Sequence, residues 1–218
     1  MMKIFYSIAA FSLALAASSC SSEDAPKQPA APTVKSNKLT EPFRFHKAIE
    51  VKPGLTFDVL SWGRGAEYVG AYMILRSDSA RAAYKSINGE LEGEITDVWN
   101  MDMDSDGNPE LFIQAKGQDK DSYLKMYIYE FTESGSQQQL RFPDLTSSTR
   151  KSYRGKDSVF VKDGELFREF PIFEEADTAG VNPTGKKLLQ YSLRGNNFNV
   201  KEIKDEDKKE ADKDQKKK

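Results

Sequence analysis

Tyr123-Leu124-Lys125-Met126-Tyr127-Ile128-Tyr129-Glu130-Phe131 alternates with a period of two. Tyr123, Lys125, Tyr127, Tyr129 and Phe131 share one face, and Leu124, Met126 and Ile128 share the other. A strand that is apolar on both faces belongs in the middle of a fold, between two layers. Around it lie further short runs of strand character. These are Phe43 to Ile49, Leu55 to Leu60, Tyr68 to Leu75, Ile95 to Trp99, Leu111 to Ala115, Ser158 to Val161 and Lys187 to Leu193.

Turn residues punctuate the runs: Pro53-Gly54, Asn88-Gly89, Asp106-Gly107, Asp163-Gly164 and Gly195-Asn196. Only Asp78 to Ile87 reads as a short helix. Many short strands at hairpin spacing predict an all-β fold, a single antiparallel β-sandwich spanning residues 42–203.

The ends have a different composition. Met1-Met2-Lys3 precedes the short apolar run Ile4 to Leu15, and small residues follow up to Cys20. This order reads as a signal peptide over residues 1–19. The apolar run is shorter than the ~20 residues that a membrane-spanning helix needs. Cys20 stands where a lipobox places its acylated cysteine, although Ala17 occupies a position where Leu is usual. It is the only cysteine in the chain, and acylation gives an exported protein a use for one unpaired thiol. The expectation is a lipoprotein of the cell envelope, attached to the outer membrane through its lipid alone, in the periplasm or at the cell surface.

Residues 20–41 carry charged and small residues and prolines, including Pro29-Ala30-Ala31-Pro32. They read as a disordered tether. Ser21-Ser22-Glu23-Asp24 at its start resembles the acidic tag by which some diderm bacteria export lipoproteins to the surface. Residues 204–218 mix both charges with Ala211 as their single apolar side chain and read as a disordered tail.

A net charge of −2 gives no electrostatic reason to expect nucleic acid. One histidine and one cysteine rule out zinc centres built from those ligands, and intrachain disulfides with them. Nucleophile–histidine catalysis would have to use His46, which lies in the alternating run Phe43 to Ile49 and reads as a surface strand residue.

The sharpest local motif is Asp102-Met103-Asp104-Ser105-Asp106-Gly107-Asn108-Pro109-Glu110. Oxygen side chains at Asp102, Asp104, Asp106, Asn108 and Glu110 around a tight turn suit calcium as an optional ligand. The twelfth position, where an EF-hand places a bidentate Glu, is Ile113, so the motif is not an EF-hand. The alternative is a hairpin whose Asp side chains cap backbone N–H groups without a metal.

Gly70-Ala71-Tyr72, Asp102 through Leu111 and Ser122-Tyr123-Leu124 together resemble the family of periplasmic inhibitors of invertebrate-type lysozyme. Arg168 to Phe173, Asp177, Asn182-Pro183-Thr184-Gly185 and Gln190 to Leu193 resemble lipoprotein relatives of that family. The resemblance implies an antiparallel β-sandwich that is not an enzyme and binds a lysozyme-like wall hydrolase. It also implies that the loop Lys120-Asp121-Ser122-Tyr123 makes the contact.

The family presents S-G-x-Y there. Aligned on Tyr123, this chain has Lys120 for the Ser and Asp121 for the Gly. Two other readings stand beside this one: a surface lipoprotein that binds another protein or a glycan, and a calcium-dependent carboxylate glycosidase.

Overall fold

The structure is a computed structural model and describes residues 39–64, 68–117 and 123–204. It is built from three antiparallel sheets of four strands, and within each sheet the strands pair in chain order. The first sheet contains β1 (Phe43–Lys52), β2 (Leu55–Trp62), β3 (Val69–Asp78) and β4 (Ala83–Glu92). The second contains β5 (Glu94–Met101), β6 (Glu110–Lys116), β7 (Leu124–Phe131) and β8 (Gln137–Leu140). The one described helix, α1 (Ser147–Ser152), leads to the third, with β9 (Ser158–Lys162), β10 (Glu165–Phe173), β11 (Pro183–Arg194) and β12 (Asn197–Ile203).

The chain is therefore all-β, and the sandwich has three sheets because the middle one is apolar on both sides. Leu111, Ile113 and Ala115 of β6 join Tyr129 and Phe131 of β7 in a core shared with Phe57, Val59, Tyr72 and Ile74 of the first sheet. Phe112 and Ile128 point the other way, into a core with Leu166, Phe170, Leu189 and Tyr191 of the third. Consecutive strand residues face opposite sides, so one apolar stretch supplies two cores.

Two local expectations are corrected. Asp78 to Ile87 is not a helix: β3 ends at Asp78 and β4 starts at Ala83, with Ser77 paired to Tyr84 and Ile74 to Ile87. Asp78 ends β3. Its carboxylate is buried against Arg76 at 2.9 Å and accepts the Arg81 N–H at 3.2 Å, which closes the turn. The sheet ladder outweighs the helix propensity of Ala80, Ala82 and Ala83.

Asn88-Gly89 is not a turn either. Gly89 lies inside β4 opposite Tyr72, and a Cβ on it would come within 2.3 Å of the Tyr72 hydroxyl oxygen. The glycine makes room for a cross-strand ring. The remaining turn signals fall between strands, and His46 is an exposed strand residue of β1 with Nε2 2.7 Å from Asp58 Oδ1.

The short helix that does form has Thr146 as its N-cap, with the side chain accepting from the Thr149 N–H. Among the described residues, no helix is long and apolar enough to cross a membrane.

Candidate functional site

Two regions gather the side chains singled out by the sequence. The first is the link between β6 and β7. Gly117 N–H donates to Tyr123 O at 2.8 Å, which closes the mouth of the loop. The Tyr123 ring is half-buried and stacks on Tyr153, with centroids 5.2 Å apart. It packs toward the third sheet's core. The expectation that Tyr123 continues the Tyr127–Tyr129 face is corrected, because β7 begins only at Leu124 and the residue before it turns to the opposite side. Lys120, Asp121 and Ser122 lie outside the described residues, as does Cys20.

Beside Tyr123 opens a cavity of about 430 Å³ whose lining includes Phe142, Asp144, Arg150, Tyr153 and Arg168. Its inner wall is cross-linked by polar and ring contacts. The Arg168 guanidinium lies 5.2 Å from the centroids of both the Tyr153 and Phe170 rings and pairs with Asp157 through Nε at 2.7 Å. The Tyr153 hydroxyl also donates to the Asp157 carboxylate. Burial pushes the Tyr153 phenol above the usual tyrosine range, and the Asp157 charge adds to the effect. None of these partners is adjacent in sequence, and no local pattern reveals them.

The second region is the acidic loop between β5 and β6. Asp102, Asp104, Asp106 and Glu110 bring one carboxylate oxygen each to within 4.8 Å of one another. The turn that gathers them contains two left-handed residues, Ser105 (φ 59°) and Gly107 (φ 85°). A Cβ on Gly107 would meet nothing within 4 Å, so its φ and not crowding favours glycine there.

Backbone donors orient the acids. Asp106 N–H and Gly107 N–H both donate to the Asp102 carboxylate at 3.1 Å. Asn108 braces Asp106, donating from its backbone and side-chain nitrogens at 2.8 Å each.

Glu110 is the first residue of β6 and 0% exposed. Its Oε2 accepts the Met103 N–H at 2.7 Å. Burial pushes its carboxyl up to about 7 against that hydrogen bond, and the charges of Asp104, Asp102 and Glu130 add to the rise. Glu130 is its cross-strand partner in β7. It too is buried, and is raised by desolvation and then by Asp106, Asp104 and Asp102.

Glu130 escapes a reading of the acidic loop because it lies in another strand. One signal was present: it is the single acid at the end of the Leu124–Met126–Ile128 face.

No family model matches the chain, and neither a curated protein nor a solved structure matches it.

Proposed function

We propose that this chain is an exported envelope lipoprotein, acylated on Cys20, whose domain works by binding a lysozyme-like wall hydrolase through the loop from Gly117 to Tyr123. The observation that supports it is the base of that loop. Gly117 and Tyr123 are hydrogen-bonded across its mouth, and Tyr123 is stacked on Tyr153. The segment containing Asp119, Lys120 and Asp121 thus starts and ends on a fixed platform between two core strands. Fixed ends lower the entropic cost of ordering a loop on binding. Lysozyme grooves contain carboxylates, which Lys120 would approach, while Asp119 and Asp121 would meet a basic rim. Charge complementarity of that kind speeds encounter and makes it sensitive to salt.

The carboxylate glycosidase reading has less support. Its two acids must flank a sugar at separations of about 5–9.5 Å. The acids of the loop turn oxygens toward one another on a single turn, and Asp102 is committed to two backbone N–H groups. Glycan binding is favoured by one observation, the cavity of about 430 Å³ walled by Tyr123, Phe142 and Tyr153 with Arg150 and Asp144 at hand.

Immobilising the full chain in detergent and passing invertebrate-, goose- and chicken-type lysozymes over it separates these readings. Salt-sensitive retention of at least one enzyme is expected. Retention of none, together with binding of peptidoglycan fragments, would transfer the assignment to the glycan reading.

A further inference from the structure

Asp104 Oδ1 and Glu110 Oε1 are buried and have no hydrogen-bond partner among the described residues. Buried polar atoms lose their hydration and are nearly always compensated, and buried anionic oxygens all the more so. Both oxygens belong to carboxylates of the same converging group of four. The loop thus combines concentrated negative charge with two interior oxygens that the described residues leave unsatisfied. A cation answers both.

We propose that the Asp102–Glu110 loop is a structural calcium site, with Asp102, Asp104, Asp106 and Glu110 as carboxylate ligands. The donor set is all oxygen, which selects a hard cation over zinc or copper. Calcium binds oxygen at about 2.3–2.6 Å, so ligands on opposite sides of one ion stand up to about 5.2 Å apart. The 4.8 Å span of the four oxygens lies within that limit. Magnesium demands a tighter octahedron and gives up its water reluctantly.

The ligands are also held in place before any ion arrives. The N–H groups of Asp106 and Gly107 fix Asp102, Asn108 fixes Asp106, and the Met103 N–H fixes the second oxygen of Glu110. Each oxygen has a further lone pair, so these bonds do not use up its capacity. They act as the outer shell that orients metal ligands.

The ion would tie together three elements. The loop leaves β5 after Met101, Glu110 opens β6, and β7 closes over it through the Phe131 N–H to Pro109 O bond at 3.1 Å. Glu130 behind Glu110 deepens the negative potential. This site is independent of the hydrolase-binding loop and stands whether or not that reading holds.

The test uses the full chain in detergent, stripped with EGTA. It combines equilibrium dialysis against radioactive calcium with thermal melts in calcium or magnesium chloride at matched ionic strength. Binding of a single calcium per chain is expected. The melting temperature should rise by about 5–10 °C at roughly a hundred-fold excess over Kd, and by much less with magnesium.

Glu110→Gln keeps an acceptor for the Met103 N–H and removes the charge. It should retain the far-UV spectrum and weaken calcium binding at least about ten-fold. Asp104→Asn provides the same readout at the other interior oxygen, should the first variant fold poorly. No stoichiometric binding at several millimolar calcium overturns the proposal. Binding that is unchanged in both variants overturns it as well, as does an equal shift with magnesium.

Discussion

The Tyr72 and Tyr129 hydroxyl oxygens lie 2.6 Å apart in the interior, joining β3 of the first sheet to β7 of the second. Tyr127 packs on the same ring, its centroid 5.0 Å from that of Tyr72. Burial pushes the Tyr72 phenol well above the usual tyrosine range, helped by the hydrogen bond and charge of Tyr129. Tyr127, Tyr153 and Tyr191 are raised too, each chiefly by burial.

The alkaline limb of stability follows from that sign. A folded-state value above the ordinary ~10 means that the neutral phenol is favoured in the native state. The stability this contributes is fully present below about pH 10 and lost as pH rises above it. We expect denaturant midpoints to hold from pH 8 to about 9.5 and then fall. The phenolate absorbance of these buried rings should rise together with unfolding. Absorbance that reaches completion while the far-UV spectrum stays native would contradict the buried assignment.

The two-sided middle sheet makes a second expectation. Phe112 and Ile113 are neighbours in β6, both 0% exposed, and face different cores. Phe112→Ala should cost about 3–5 kcal/mol and Ile113→Ala about 2–5 kcal/mol. One large and one negligible loss in urea titrations would mean that β6 is covered on one side only.

Arg168 and Asp157 form an ion pair whose side chains are only 6% and 3% exposed. Removing one partner leaves a buried charge, so Arg168→Ala should destabilise by about 3–5 kcal/mol. The double change Arg168→Met with Asp157→Leu should recover most of that loss. Equal losses in the single and double variants, measured by chemical denaturation, would show that packing and not charge is decisive there.

The readable part of the fold was the part encoded locally. Residues 124–131 announce a two-faced central strand because the apolar side chains occupy both parities, and the Asp102–Glu110 turn announces itself by spacing. Asp78 ends a strand and not a helix start because its carboxylate is taken up by Arg76 within β3 and by the Arg81 N–H of the turn, and Gly89 owes its place to the Tyr72 ring across the strand pair. Glu130, Asp157 and Arg168 join their sites from separate elements, and no short window brings them together. Of the third sheet only β9 and β11 were legible as strands, and not as parts of a separate layer, since a short run shows its own period and not its partner.

The anchor has its own check. Cys20→Ala should move the protein from the membrane to the soluble fraction, and blocking the lipoprotein signal peptidase should make the unprocessed chain accumulate. Unchanged membrane fractionation of the variant would remove the lipid from the account.

The proposed binding of a wall hydrolase through the β6–β7 loop is read out by inhibition. Tyr123 is half-buried against Tyr153, so Tyr123→Ala is interpretable only if the melting temperature is retained. Lys120→Ala and Asp121→Ala are the sharper probes. Invertebrate-, goose- and chicken-type lysozymes are assayed against micromolar full chain in detergent at low and high salt. At least one enzyme should be slowed, more strongly at low salt, and the Lys120 and Asp121 variants should weaken the effect about ten-fold or more. Undiminished activity of all three enzymes, or inhibition that neither variant changes, would contradict the proposal.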